Sequence, residues 1–457
     1  MKKETTERRT GRSPERSTEV ADALNAGGLE ARIRASREIG KRILSGELGR
    51  TVSGELNNHV HTSYSFSPYS PSLAAFKAWE AGLMAVGIMD HDSVSGCVEM
   101  LDAAANIGIA STVGFELRVN MTGTAMEGRK INNPDSENII YIAVHGIPRD
   151  RIAEAAAFLE PIHEARNLRN RKMVAGVNKI IAAWGLEPLD YRDDVEGISR
   201  ASEGGSITER HVLYALANRV MSVAGKGRSL LDFLAEKAGL VVQGKIREYL
   251  QNDENPHYSY DLLGLFKSSV ISDIYIQPGN DECVGVNEAV AFAKDIGAIP
   301  AYAYLGDVTD SPTGDKKAEA FEDSYLDELF EELKTLKFQA VTYMPPRNTI
   351  EQLRRVQSLC AQHGLMEISG VDINSSRQSF GCPELLQDEF RHLGTSAWAL
   401  IAHEKLSSAD KTFGLFHPDN PLQQDLDGRI ATYGGIGEAL DPRDPESALA
   451  VFERVVK

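Results

Sequence analysis

The 457-residue sequence predicts an α/β fold, a barrel of parallel strands with a helical insertion and a metal site at the strand ends. Three observations predict it. Short apolar runs recur, each closed by polar groups able to hold a metal: His59-Val-His61, then Met89-Asp90-His91-Asp92, then Gly114-Phe115-Glu116. A compact helix separates the first two runs. Between residues 147 and 265 helical periodicity replaces the alternation, which then returns.

Taken in order, residues 1–18 are polar and charged, which predicts a mobile end. From 18 to 48, Val20, Leu24, Leu29, Ile33, Ile39 and Ile43 fall at amphipathic helical spacing, and Gly27-Gly28 divides the segment into two helices. Runs at 54–58, 84–89, 109–116 and 138–144 read as buried strands, the last preceded by an Asn132-Asn133-Pro134-Asp135 turn. Residues 72–82 form a helix with a serine cap and a closing glycine. Residues i and i+2 of a strand share a face, so both imidazoles of His-x-His can reach one ion. A carboxylate from a neighbouring strand can complete the site or bridge two ions.

The helical stretch carries segments at 151–160, 163–184, 208–223 and 229–238. Its Ile207-Thr208-Glu209-Arg210-His211-Val212 is a capped helix start, and His211 is read as a surface histidine, with a position facing the site as the alternative. Beyond 270, helices at 287–296, 323–336 and 349–363 lead into strands at 298–304, 338–344 and 365–371. A final apolar run, 397–402, is read as a strand ending at His403-Glu404. The implied organisation is a mobile and helical extension (1–50), a first half-barrel (51–146), an inserted helical subdomain (147–265) and a second half-barrel (266–457).

Composition narrows the function. A net charge of −17 repels phosphate backbones at long range, so nucleic acid is disfavoured as a partner, while a small phosphorylated substrate meets no such difficulty. Cys97, Cys283, Cys360 and Cys382 lack metal or redox spacing and are read as buried thiols of a reducing compartment. No apolar run could span a bilayer, and the N-terminus lacks the apolar core of a signal peptide, so a cytoplasmic location is expected. The oligomeric state is not legible.

The order His59-Val-His61-Thr62, then Asp90-His91-Asp92-Ser93-Val94-Ser95-Gly96, then Gly114-Phe115-Glu116 resembles the PHP (polymerase and histidinol phosphatase) family. The resemblance is specific over 59–116 and looser through 404. It implies a distorted, roughly seven-stranded TIM-like barrel, up to three metal ions, and hydrolysis of phosphate esters. It assigns His59, His61, Glu116 and Asp372 to a first ion, with Glu116 bridging. His145 becomes a ligand of the second ion, His91 of the third, and Asp90 orients His91. The chain departs from the family pattern at Phe66, Tyr304 and Asn374, which removes ligands of the second and third ions. Tyr304 or Asp307 could substitute at the second. One or two divalent ions (zinc, manganese or iron) are therefore expected rather than three.

New polar residues gather near the later strand ends: Arg347 and Asn348, Arg377, and His403-Glu404. In an α/β barrel chemistry is built at the strand C-termini, and arginine there suits bidentate phosphate capture. The expected mechanism uses metal-activated water, Arg347 or Arg377 against the phosphoryl charge, and His403 or His91 as proton donor to the leaving group. Two alternatives stay open: a catalytically degenerate PHP metal-binding or regulatory protein, and a metal-dependent hydrolase of a non-phosphate bond.

Overall fold

The apolar runs fold as one sheet whose strands neighbour each other in sequence order: β1 (Leu56–Val60), β2 (Ala85–His91), β3 (Ala110–Asn120), β4 (Ile139–His145), β5 (Ile299–Ala303), β6 (Ala340–Tyr343) and β7 (Met366–Ser369). The computed structural model describes residues 14–133, 135–308 and 320–456. The sheet curls until its edges meet. A parallel bridge joins Val60 to Ile373, with the amide of His61 donating to the Ile373 carbonyl (2.9 Å) and that of Ile373 to His59 (3.2 Å). Below this bridge the seam is stitched by side-chain amides. Asn57 Nδ2 donates to Val371 O and its Oδ1 accepts from Val371 N, both at 3.0 Å, and Asn58 Nδ2 donates to Ser369 O at 3.2 Å. These buried amides do for the seam what backbone ladders do elsewhere.

One expectation is corrected: the strands are not all parallel. β4 runs antiparallel to both β3 and β5. Among the described residues no helix crosses between β3 and β4, and a parallel return needs such a crossover. The register pairs His145 with Gly114, which places His145 on the same face as Glu116 but one step toward the strand's start.

Helices α1 (Pro14–Asn25), α2 (Leu29–Leu44), α3 (Pro71–Glu80) and α4 (Cys97–Ile107) cover the first strands. The mobile end expected over 1–18 falls outside the described residues for 1–13, whereas 14–18 already belong to α1. The extension is tied in by charge. Arg32, fully buried, forks onto Glu99 through Nε (2.9 Å) and Nη2 (2.8 Å) and also reaches the Tyr64 hydroxyl. The cap of α3 is Ser70 rather than Ser72, whose hydroxyl instead bonds Glu99.

The two helices expected over 151–184 are one, α5 (Ile152–Ala183), which runs through Pro161. It packs with α6 (Glu209–Ala224), α7 (Arg228–Glu236), α8 (Gly244–Gln251), α9 (Tyr258–Ser269) and α10 (Ile271–Ile274) around a separate apolar core. Phe66, from the loop after β1, inserts into that core, its ring 4.9 Å from His211 and within 5.7 Å of Tyr214 and Tyr260. His211 is buried, which corrects the surface reading. Its Nδ1 accepts from the Thr208 amide (3.0 Å), so the histidine completes its own helix cap.

The later strands are flanked by α11 (Val286–Asp295), α12 (Leu326–Thr335) and α13 (Ile350–His363). The run 397–402 is not a strand. It lies inside α14 (Arg391–Ala409), which with α15 (Leu426–Ala439) and α16 (Ser447–Val456) packs on Leu56, Ala85, Ala110, Ile299, Ala340 and Met366, where the strands begin. The barrel is plugged at that end, so its chemistry is confined to the other.

Candidate metal centre

Because His59 lies within β1 and His61 immediately after it, the pleat turns both rings to one side, 5.1 Å apart between centroids. β2 and β3 then supply His91 and Glu116, which the parallel register places opposite each other. Glu116 is the hub. Its Oε1 lies 3.3 Å from His59 Nε2, and its Oε2 lies 3.0 Å from His91 Nδ1 and 3.9 Å from His61 Nε2. Asp372, just past β7, brings Oδ1 to 3.2 Å from His61 Nε2. Ligand atoms of His59, His61 and Glu116 all fall within 4.8 Å of one another. Gly114 makes this closeness feasible: a Cβ there would stand 2.3 Å from the Val144 carbonyl.

The donor set fits a divalent cation. His59 Nε2 and both ring nitrogens of His61 are buried without a hydrogen-bond partner among the described residues. Burial works against charge on Glu116, but His59, His91 and His61 outweigh it and bring the carboxyl down to about 2. Burial likewise opposes ionisation of Asp372, and the His61 charge overcomes it, holding the group well below the carboxylate range. Burial lowers His59 despite Glu116, whereas for His61 the Asp372 charge prevails over burial and raises it. Two anionic carboxylates facing imidazole lone pairs suit a transition metal.

His145 lies beneath this group, buried, with Nε2 unpartnered among the described residues. Burial first and the His59 charge second bring its pKa to about 3, so it is a neutral imidazole near the ion site.

The other sequence-derived candidates stand elsewhere. Asp90 does not orient His91. It is fully buried and accepts from the Thr62 amide and hydroxyl and the Ser65 hydroxyl, all at 2.6 Å, so it fixes the loop that follows His61. His403 sits on α14 in the plugged end, its Nδ1 accepting from the Leu415 amide (2.9 Å). Glu404 beside it binds Thr112 and the Val113 amide near the start of β3. Neither can reach the ligand set from there.

Arg347 Nε donates to the Leu305 carbonyl (3.0 Å), which Asn348 also binds (2.8 Å). Arg377 forks onto Asp261 of α9 at 2.7 Å and stacks on Tyr249, 3.8 Å from the ring centre. The two arginines hold loops rather than meet around one anion. Tyr304 donates to Asp323 (2.6 Å), and Asp307 Oδ1 accepts from the Phe321 amide (2.5 Å).

A cavity of about 250 Å³ opens beside the group, lined by His59, His91, Glu116 and Asp372 on the barrel side. Its other wall comes from the helical lobe and includes Arg210, Lys267 and Tyr275. Arg210 was missed in the sequence. Its signal was a cation in the first turn of a capped helix, which by itself says nothing about where that turn points.

Residues 57–205 match the family model described as the PHP domain. A stretch of 121 residues is 29% identical to an error-prone DNA polymerase of Cutibacterium acnes, covering 24% of this chain and 10% of that protein. The chain therefore spans about a tenth of the length of the curated relative it matches. Among solved structures, one from Bifidobacterium adolescentis described as a candidate metal-dependent phosphoesterase is 18% identical, with a TM-score of 0.46 over 71% of this chain and 90% of that one. An amidohydrolase from Chromobacterium violaceum is 17% identical, with a TM-score of 0.45 over 72% and 90%. His59, His61, His91 and Glu116 all lie inside the segment that matches the PHP domain model.

Proposed function

We propose that this protein is a metal-dependent hydrolase, and specifically a phosphoesterase acting on a small phosphorylated substrate. The observation that carries this reading is the convergence of His59, His61, Glu116 and Asp372 from three different barrel segments at the mouth of a small cavity. A divalent cation held by these residues would supply Lewis acidity, lowering the pKa of water and polarising a phosphoryl oxygen. The residues themselves do the rest. Glu116 orients three imidazoles, Asp372 fixes His61, and His91 stands at the cavity wall within reach of a leaving group. His403 is no longer a candidate acid, since α14 holds it at the plugged end.

A second reading, a silent metal-binding barrel, is favoured by one observation. The residues standing where second and third ions would need ligands are engaged otherwise: Phe66 in the lobe core, Tyr304 with Asp323, Asn374 with Asp372. A screen of phosphomonoesters, with and without added manganese or zinc, separates the two. Metal-dependent release of inorganic phosphate that vanishes in Glu116→Gln supports the enzyme. Stoichiometric metal with no turnover of any phosphoester supports the silent barrel.

A further inference from the structure

Arg118, Arg166, Arg210 and Lys267 line the cavity, and the charge of the first two is already matched. Arg118, Arg166 and Arg169 lie buried against Asp92, Glu209 and Glu282, three guanidiniums facing three carboxylates. Arg377 is matched by Asp261. Arg210 differs. It stands in the first turn of α6, lines the cavity, and its hydrogen-bond partner is a neutral amide: Nη1 donates to Asn374 Oδ1 at 2.6 Å. Among the described residues no carboxylate lies within ion-pairing distance of it. Asn374 in turn donates through Nδ2 to Asp372 Oδ1 (2.7 Å), the atom that approaches His61. A full positive charge from the helical lobe is thus held beside the barrel's ligand set through one amide.

That arrangement suits an incoming anion. A guanidinium offers five N–H donors in a planar fork, and the amide takes few of them. Capture of a phosphate by Arg118 or Arg166 would require breaking a buried ion pair, which is costly, whereas Arg210 breaks none. The same cavity is walled by Tyr141, Tyr275, Leu213 and Ile271, which offer an apolar surface to a small organic group.

We infer that Arg210 is the residue that recognises the anionic group of the substrate, so that the barrel holds the ion and the helical lobe selects a small phosphomonoester. This rests on the phosphoesterase reading. Recognition is built by contact between two parts of the chain distant in sequence, and any substrate seated there bridges α6 and the end of β7.

The test uses the full chain loaded with metal and freed of excess, titrated calorimetrically with inorganic phosphate, for wild type, Arg210→Gln, Arg210→Ala and Arg210→Lys. Metal content is measured on the same samples, and thermal unfolding confirms that each is folded. Phosphate affinity should fall at least about tenfold in the Gln and Ala variants with metal content unchanged, and recover in part with Lys, which keeps the charge without the fork. For a cleaved phosphomonoester KM should rise more than kcat falls. Equal phosphate affinity in all four proteins overturns the inference while leaving the phosphoesterase reading intact. Loss of metal together with phosphate also overturns it, because Arg210 would then only position Asp372. If wild type itself neither binds phosphate nor cleaves any phosphoester, the phosphoesterase reading fails first, and the inference with it.

Discussion

Gly370→Ala is the most exacting perturbation of the barrel seam. Gly370 follows β7 where the seam presses against β1, and its constraint is space. A Cβ there would stand 2.5 Å from His59 Cβ and 2.8 Å from the His59 amide nitrogen. Ordinary carbon contacts begin near 3.5 Å, so the seam is roughly 1 Å short of room. The neighbours cannot yield cheaply, because Asn57 and Asn58 clamp the same stretch through buried amides. Overpacking of this kind costs about 1–3 kcal/mol. Whatever movement relieves it displaces His59 from Glu116, so metal affinity should fall about 10- to 100-fold, the range seen when support of a metal ligand is lost. Urea denaturation of the metal-free protein reads the first effect and chelator competition the second. Gly285→Ala is the control, since its added methyl meets nothing within 4 Å. If Gly370→Ala binds metal as tightly as that control, the seam does not position His59 as argued.

Two further outcomes follow from buried charges. Glu322 is fully buried, and burial, only partly offset by the Leu305 and Gly306 amides and the Tyr302 hydroxyl, raises its carboxyl to about 7. A raised carboxyl pKa leaves stability intact below the ordinary value of 4.5, and costs it progressively as pH rises through 7, by about 3 kcal/mol in full. Denaturation at pH 5 and pH 8 should show that loss in wild type and not in Glu322→Gln; parallel behaviour of the two proteins would contradict it. Arg32→Met strands the buried Glu99 carboxylate and should destabilise by about 3–5 kcal/mol, with much of it recovered in the double variant Arg32→Met/Glu99→Gln. A loss under 1 kcal/mol would mean that the N-terminal helices are not integral to the barrel.

The strand-borne part of the site was legible because it rests on period two. His59, His61, His91 and Glu116 each sit in or just after an apolar run, and parallel neighbours in register bring such residues together. The direction of β4 was not legible, since an isolated apolar run carries no sign of its orientation. His403 was misplaced for a related reason. The run 397–402 is buried inside α14 except for the half-buried Trp398, and a short run apolar all round reads alike as helix or strand. The arginines failed differently. A long side chain after a strand end goes where its partner is, and the partner of Arg377 is Asp261, 116 residues away in the lobe. Arg210 shows the converse, a residue whose meaning comes only from Asn374, 164 positions later.

Metal content tests the central reading most directly. Protein purified without added metal, dialysed exhaustively and analysed by elemental mass spectrometry should carry close to one transition metal ion per chain, with any second ion lost on dialysis. Glu116→Gln, which removes the charge at the hub of the three imidazoles, should lower that occupancy sharply. Three equally retained ions would show that Phe66 and Asn374 do not remove the third site. Full occupancy in Glu116→Gln would show that the ion is held somewhere other than between His59, His61 and Asp372.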